Sequence, residues 1–201
     1  MPNYPEYDYQ QAPSEVGSYS QNLDLMLQAT SYRYIGKQPH ILDYGAGTGL
    51  YSERIATQAT CFAYDPAPNS LSKVNNSIPV RDPNILLPRS FHAVHVKEVL
   101  EHVPDLIPFF SHIARLLVEG GLIMATFRDI SPDEANNLNM KHKPKYPIYP
   151  LNIETVESAC QLSGISITLR SYWTPETLKE DWYEDVLIAR NVFVGQLTVP
   201  E

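Results

Sequence analysis

Cysteine, long apolar runs and clustered basic residues are all scarce in this sequence. Its two cysteines, Cys61 and Cys160, lie in separate apolar segments, which indicates neither a disulfide framework nor a metal site built on paired thiolates. No stretch reaches about 18 consecutive apolar residues, the length that a transmembrane helix needs. These absences predict a soluble protein in a reduced, cytoplasmic setting.

Positive charge is also in short supply. The chain has 15 Lys and Arg against 23 Asp and Glu, a formal net charge of −8, and its densest basic group is the loose set Lys141, Lys143 and Lys145. A nucleic acid partner requires a basic surface that neutralises phosphates. Nucleic acid is therefore disfavoured, a small-molecule substrate is expected, and no pattern indicates an oligomeric state.

The 201 residues, 43% of them hydrophobic, are enough for one substantial core. Apolar periodicity predicts helices at 19–34, 51–57, 106–117 and 152–163. It predicts seven strands, at 40–43, 59–64, 78–81, 93–96, 122–127, 165–172, and 186–189 with 192–194. This alternation predicts an α/β fold with a Rossmann-like, doubly wound sheet of seven strands and helices on both faces. The last two strands lie too close together for a crossover, so one near the C-terminus should run antiparallel.

Domain organisation follows from the same pattern. Residues 1–18 are rich in Tyr, Pro and Gln without any period, which predicts a flexible N-terminal arm or lid. Residues 19–201 are predicted to form a single domain. The polar, proline-rich stretch 128–151 is predicted to be a long loop, and ordered loops of that length are usually functional.

Three glycines, Gly45, Gly47 and Gly49, follow a short apolar strand that ends at Asp43. Glycine allows positive φ and lets a ligand approach the main chain without meeting a Cβ. A dinucleotide-binding turn, G-x-G-x-x-G, would need glycine at position 50, where this chain has Leu50. The turn is therefore predicted to cradle a ligand, and Leu50 weakens the alternative of a nicotinamide-dependent oxidoreductase.

An acidic residue also ends the next strand. Asp65 lies 20 residues after Gly45, the interval at which a carboxylate on the second strand reaches a ribose in nucleotide-binding βαβ units. We therefore expect the glycine turn and Asp65 to bind the same ligand.

Four segments in order resemble the class I S-adenosylmethionine-dependent methyltransferases, over about residues 19–195. The turn D-x-G-x-G-x-G is similar to the first motif of that family, and Tyr64-Asp65-Pro66 to its ribose-binding segment. Residues 87–94 and 116–121 resemble its approaches to the fourth and fifth strands. His92, where aspartate is usual, and Glu119, where proline is usual, depart from the pattern.

The resemblance implies a cofactor and its contacts. S-adenosyl-L-methionine would be bound with Asp43 near its methionine amino group and Asp82 near its adenine amine. The other implied cofactor-binding residues are Gly45, Ala46, Gly47 and Gly49 along its backbone, Asp65 and Pro66 at the ribose, and Lys97 after the fourth strand. The implied reaction is methyl transfer to a small-molecule acceptor, preferably at oxygen. The alternatives are an RNA or protein methyltransferase, or a non-catalytic cofactor-binding or regulatory subunit of the same fold.

The segment Glu98-Val99-Leu100-Glu101-His102 carries candidate catalytic groups at the end of the fourth strand. A helical spacing would place Glu98 beside Glu101 and His102. The pattern E-x-x-E-H resembles that of ubiquinone-biosynthesis O-methyltransferases and of small-RNA terminal 2′-O-methyltransferases. It implies a divalent metal, Mg or Zn, held by these three residues and by His142, which would lower the pKa of an acceptor hydroxyl.

Two readings without metal stay open for the same segment. Glu101 and His102 would be catalytic if the imidazole acts as a general base or orients the substrate. Alternatively, both side chains cap and anchor the helix. His40, His95 and His112 lie in predicted elements, where histidines are usually structural, and no role is assigned to them.

Aromatic residues are expected to cover the acceptor pocket, because they fall in segments that do so in the family. They are Tyr19, Tyr32, Tyr146, Tyr149 and Trp173. The prolines at 144–150 predict a stiff lid that would stack on a flat substrate.

Overall fold

The computed structural model describes residues 18–67, 70–142, 146–173 and 190–198. Within them the helices are α1 (Ser18–Arg33), α2 (Leu50–Ala56), α3 (Leu106–Leu116), α4 (Pro132–His142) and α5 (Ile153–Leu162). The strands are β1 (His40–Tyr44), β2 (Thr60–Tyr64), β3 (Ile78–Val80), β4 (Phe91–Lys97), β5 (Leu117–Phe127), β6 (Ile165–Trp173) and β7 (Arg190–Leu197). The predicted arm at 1–18, apart from Ser18, lies outside these residues.

The seven strands form one sheet in the order β3-β2-β1-β4-β5-β7-β6. The pairs from β3 to β5 are parallel, whereas β7 runs antiparallel to both β5 and β6. The prediction of a mostly parallel, doubly wound sheet with one antiparallel strand is confirmed. Successive strands are added on one side of β1 as far as β3, and from β4 onward they are added on its other side. The point between β1 and β4 is therefore a topological switch point, where open α/β sheets bind ligands.

Helices cover both faces of the sheet, as the predicted fold requires. On one face Leu23 and Leu27 of α1 and Ile55 of α2 are fully buried against β1, β2, β4 and β5. On the other face Phe110 of α3 and Val156 of α5 pack into a larger cluster with the strands. None of the described helices is both long enough and apolar enough to span a bilayer.

Side-chain caps define where two of these helices begin. The Asp105 carboxylate accepts a 3.1 Å hydrogen bond from the N–H of Ile107 at the start of α3. The Asn152 side chain accepts one of 2.8 Å from the N–H of Thr155 at the start of α5. Asp and Asn are favoured at these positions because they satisfy backbone donors that have no partner within the helix.

The glycine pair after α3 differs from the prediction. The predicted helix at 106–117 and strand at 122–127 leave Gly120 and Gly121 in the connection between them, but α3 ends at Leu116 and β5 runs through both glycines. Gly120 has φ +69°, and the register of β5 against β4 shifts in this region. A Cβ on Gly121 would lie 2.8 Å from the Val118 carbonyl oxygen. The glycines therefore permit an irregular strand rather than stopping a helix.

The predicted loop at 128–151 also requires correction, because it contains α4. The Ser131 hydroxyl accepts a 3.2 Å hydrogen bond from the N–H of Glu134, and Pro132 occupies the first helical position. The sequence Ser-Pro-Asp-Glu is a capping-box pattern that signals this helix. The signal was missed because α4 is polar almost throughout, so it lacks the apolar stripe that usually identifies a helix.

Candidate active site

The glycine turn lies at the switch point, directly after β1. Gly45, Gly47 and Gly49 have φ values of +84°, +53° and +88°, a region that other residues rarely adopt. A Cβ on Gly45 would overlap the side chain of Val99, and one on Gly49 would lie 2.7 Å from Val74 Cγ2. A Cβ on Gly47 would meet no atom within 4 Å. The outer two glycines are packed against protein, while Gly47 faces open space.

Backbone hydrogen bonds connect this turn to the end of β2. The N–H groups of Gly45 and Ala46 both donate to the carbonyl oxygen of Tyr64, at 2.8 and 2.9 Å. Pro66, two residues after Tyr64, is half-buried. The predicted backbone and ribose contacts of the cofactor are thus held next to each other.

The Asp65 carboxylate lies against the same turn. Its Oδ2 accepts a 2.8 Å hydrogen bond from the N–H of Gly47, and its Oδ1 accepts one of 2.8 Å from the N–H of Ala67. Burial raises the pKa of Asp65, and these two donors oppose the rise. Each oxygen keeps a lone pair that could accept from a ribose hydroxyl.

Asp43 is more deeply buried than a ligand contact would suggest, with 2% of the residue exposed. Its Oδ2 accepts a 2.5 Å hydrogen bond from the Ser52 hydroxyl, and its Oδ1 lies 2.7 Å from His95 Nδ1. Asp43 therefore joins β1, the start of α2 and β4 beneath the glycine turn. The sequence assigns no role to His95; only the register of β1 against β4 places it opposite Asp43.

Asp82 follows β3 and lines a groove of about 690 Å³. Its Oδ1 accepts a 2.9 Å hydrogen bond from the N–H of Asn84. The aromatic wall of the groove is formed by Tyr44, Tyr64 and Phe109; the Tyr44 ring centre lies 4.7 Å from that of Tyr64 and 5.4 Å from that of Phe109. Burial raises the pKa of the Tyr44 phenol. An apolar groove with a carboxylate at its rim suits a flat heterocycle that carries an amine.

Lys97 ends β4 on the other side of the turn. Its Nζ lies 4.9 Å from the ring centre of Tyr51 in α2, within the range of a cation–π interaction. The Tyr51 ring centre lies 5.5 Å from that of His95. The lysine is therefore held beside the glycine turn through Tyr51.

The segment after β4 packs onto the glycine turn through Val99 and Gly45. Leu100–His102 form a single 3₁₀ turn. Glu101 is buried, with 6% of the residue exposed, whereas His102 is exposed. His102 Nδ1 lies 3.2 Å from the carbonyl oxygen of Pro147.

Glu98 does not belong to that turn. It has φ +52°, and its N–H donates to the carbonyl oxygen of Thr126 at 3.1 Å. Its Oε1 accepts a 3.1 Å hydrogen bond from the Thr126 hydroxyl. A non-glycine residue in this conformation is held there by its surroundings, and here the anchor is the end of β5.

Residues 146–151 cover the 3₁₀ turn and are tied to it by the backbone. The N–H of Tyr149 donates to the carbonyl oxygen of Glu101 at 2.8 Å, and Leu151 pairs with Ile130 after β5. The Tyr146 ring centre lies 6.0 Å from that of His102. This part of the predicted lid thus lies next to the candidate catalytic residues.

A family model described as a methyltransferase domain matches residues 17–184. The chain belongs to this family. Its fold is that of the class I methyltransferases, which take their methyl group from S-adenosylmethionine. No curated protein sequence matches this methyltransferase.

Several solved structures share the fold. One is a Galdieria sulphuraria protein assigned as a sarcosine dimethylglycine methyltransferase (TM-score 0.70, 12% identity, 89% of this chain and 86% of that one covered). Another is a Methanosarcina mazei S-adenosylmethionine-dependent methyltransferase (TM-score 0.68, 11% identity, 84% and 97% covered). A third, from Mesorhizobium loti, is also S-adenosylmethionine-dependent (TM-score 0.63, 14% identity, 87% and 99% covered).

Three of the four predicted metal ligands of the methyltransferase, Glu98, Glu101 and His102, do not assemble into a metal site. Among the residues that the structure describes, no group of three or more His, Cys, Asp or Glu side chains is placed to hold a metal ion. Helical spacing was expected to bring Glu98 to Glu101 and His102, but Glu98 precedes the 3₁₀ turn and binds Thr126. The side chain of His142 lies outside the described residues. Among the residues whose side chains are described, the donors by themselves therefore form no metal site.

The aromatic residues expected over the acceptor pocket separate into two groups. Tyr146 and Tyr149 lie beside the 3₁₀ turn. Tyr32 is 81% exposed next to Arg33, whose guanidinium donates to the Gly120 carbonyl oxygen near the amino end of β5. Tyr32 is therefore at the opposite edge of the sheet, and that expectation was wrong. The side chains of Tyr19 and Trp173 lie outside the described residues.

Proposed function

We propose that this methyltransferase transfers a methyl group from S-adenosylmethionine to an oxygen atom of a small-molecule acceptor, with His102 as the general base. The observation that carries the proposal is the position of the exposed His102 imidazole. It ends the 3₁₀ turn whose Val99 packs against Gly45, so it stands beside the cradle proposed for the cofactor. An acceptor that enters between the glycine turn and residues 146–149 would meet this ring.

The residues proposed to hold the cofactor lie along the carboxyl ends of three neighbouring strands. Gly47 faces open space after β1, Asp65 presents its carboxylate after β2, and Asp82 lies at the rim of the aromatic groove after β3. In this arrangement the Asp65 carboxylate accepts hydrogen bonds from the ribose hydroxyls, and the Asp82 carboxylate accepts one from the adenine amine. Asp43 acts indirectly, because its carboxylate is held by Ser52 and His95 and supports the turn from below.

The chemistry asked of the protein is modest. S-adenosylmethionine supplies a methyl group that its sulfonium already activates. The chain has to place an acceptor oxygen in line and accept its proton. A carbonyl oxygen can only accept a hydrogen bond, so the contact to Pro147 requires a proton on His102 Nδ1. In the neutral ring, Nε2 then carries the lone pair that takes the acceptor's proton.

No step is assigned to a metal ion, because the donors among the described residues form no metal site by themselves. Glu101 is proposed to act beside His102 through the backbone, since its carbonyl oxygen holds Tyr149 in place. Its buried carboxyl group remains a candidate for a direct catalytic role.

Isothermal titration calorimetry with S-adenosylhomocysteine tests cofactor binding, and transfer of radiolabelled methyl to catechols, phenols and hydroxy acids tests the acceptor class. On a substrate found in this way, His102→Ala should lower kcat by about 100-fold or more while S-adenosylhomocysteine binding is unchanged. His102→Gln is the matched variant that keeps a polar side chain without a base.

Full activity of both His102→Ala and His102→Gln would show that His102 is not the general base. Loss of activity after chelation, restored by Mg or Zn, would show that metal takes part after all. Binding of an RNA oligonucleotide with steep salt dependence would point to a nucleic acid acceptor instead.

A further inference from the structure

The side chain of Asn139, in the last turn of α4, makes two hydrogen bonds to a single residue nine positions away. Its Oδ1 accepts from the N–H of Ile148 at 2.9 Å, and its Nδ2 donates to the carbonyl oxygen of Ile148 at 2.7 Å. The amide thus pairs with a backbone as a neighbouring strand would. We call these two bonds the Asn139 clasp.

The clasp acts on two consecutive peptide groups. The N–H of Ile148 belongs to the same rigid plane as the carbonyl of Pro147, and the carbonyl of Ile148 belongs to the same plane as the N–H of Tyr149. In a trans peptide group the C=O and the N–H point in opposite directions. Fixing one end of each plane on Asn139 therefore aims the other end away from α4.

Both free ends point at the candidate catalytic turn. The Pro147 carbonyl oxygen lies 3.2 Å from His102 Nδ1, and the Tyr149 N–H donates to the Glu101 carbonyl oxygen at 2.8 Å. Two parallel hydrogen-bond chains therefore run from one asparagine side chain, through one peptide group each, to residues 101 and 102. Hydrogen bonds in such a chain polarise one another, which strengthens the terminal bond.

We propose that Asn139 is a positioning residue that sets the tautomer of His102: by orienting the Pro147 carbonyl, it places the proton on Nδ1 and leaves Nε2 free to accept one. The inference deepens the proposed function, because it matters for catalysis only if His102 is the base. The effect of the Asn139 clasp on the His102 tautomer exists in the free protein, so it can be measured without an acceptor. Pro147 suits this role, since its ring restricts φ and it has no N–H to form a competing bond.

The experiment is nitrogen-15 NMR of the His102 ring in the full-length protein labelled with [15N]histidine, at a pH where the ring is neutral. His102→Gln assigns its signals. The wild type should show a protonated Nδ1 and an unprotonated Nε2. In Asn139→Ala the ratio of the two tautomers should shift toward the Nε2–H form by about two- to tenfold, as expected for the net loss of one hydrogen bond.

Matched variants separate the clasp from general disturbance of α4. Asn137→Ala changes an exposed asparagine two residues away and should leave the tautomer ratio unchanged. Asn139→Asp keeps the acceptor for the Ile148 N–H but places a carboxylate against the Ile148 carbonyl, so it should also shift the ratio. Far-UV circular dichroism of each variant reports whether the fold is intact.

Wild-type protein with His102 mainly in the Nε2–H form would overturn the proposal, even if every Asn139 variant failed to fold. An unchanged ratio in folded Asn139→Ala would also overturn it. Neither result bears on whether the protein transfers methyl groups. Conversely, His102→Ala could be fully active while Asn139→Ala shows the expected tautomer shift. That result would refute His102 as the general base and would still support the role of the Asn139 clasp.

Discussion

The Asp65 carboxylate accepts a 2.8 Å hydrogen bond from the Gly47 N–H, which joins the end of β2 to the turn that follows β1. The two residues are 18 positions apart and come from the two strands that flank the proposed ribose site. The Asp65 carboxylate therefore helps to hold the glycine turn in its left-handed conformation, and its remaining lone pairs are available to the proposed cofactor.

Asp65→Asn should weaken S-adenosylhomocysteine binding by about 10- to 100-fold, because hydrogen bonds to a charged carboxylate are lost. Isothermal titration calorimetry measures the change. Asp133→Asn, at an exposed position in the first turn of α4, is the control and should bind as the wild type does. Equal affinity in all three proteins would show that Asp65 does not contact the cofactor.

The pH dependence of binding follows from the same residue. Burial raises the pKa of Asp65 in the folded protein, so its carboxylate is protonated at a higher pH than an ordinary aspartate. Only the ionised form accepts both ribose hydroxyls. Affinity for S-adenosylhomocysteine should therefore fall as pH is lowered toward that raised pKa, and the fall should be absent from Asp65→Asn. Parallel curves for the two proteins would contradict this assignment.

The glycines of the turn should respond differently to alanine. Gly47→Ala places a Cβ in open space, so its only cost to the fold should be the strain of alanine at positive φ, about 1–2 kcal/mol of stability. The same Cβ should obstruct the cofactor. Gly45→Ala adds an overlap with Val99 and should destabilise the fold more. Urea denaturation with and without S-adenosylhomocysteine separates the two effects. Gly45→Ala combined with Val99→Ala should recover part of the lost stability.

His95 should be essential for stability rather than for chemistry. Replacing it with alanine leaves the buried Asp43 carboxylate without its partner at 2.7 Å, a change that typically costs about 3–5 kcal/mol. His95→Asn places a donor where Nδ1 lies and should retain much of that stability. Chemical denaturation of both variants measures the difference. An alanine variant as stable as the wild type would show that Ser52 alone satisfies Asp43.

His92 should stabilise the fold at neutral pH and lose this contribution in acid. Its Nδ1 accepts a 3.0 Å hydrogen bond from the N–H of His40, and burial lowers its pKa, with His40 and Lys37 adding repulsion. A histidine with a lowered folded pKa favours the folded state when neutral, so this contribution is lost as pH falls below the unfolded value. His92→Asn keeps an acceptor and does not titrate, so it should lose less stability between pH 7 and 5. Thermal denaturation across that range measures the difference.

Local pattern was enough for most of the architecture. The strand before Gly45, the apolar stripe of α3 and the cap at Asn152 are set by residues near them in the chain, so their periodicity and spacing predict them directly. The same holds for the glycine turn, because positive φ is a property of individual residues. Even α4 was signalled locally, by Ser131 and Glu134, although its polar surface obscured the signal.

Tertiary structure alone decided which side chains of the site meet. Asp43 reaches His95 because β1 pairs with β4, a strand fifty residues later, in one particular register. Glu98 turns to Thr126 rather than to Glu101, since its backbone adopts a positive φ that helical spacing could not anticipate. Asn139 reaches His102 only through the peptide group between Pro147 and Ile148. The sequence by itself determined most of the elements and the glycine turn, because these depend on neighbouring residues. The partners within the site depend on strand order, register and peptide orientation, which only the folded chain defines.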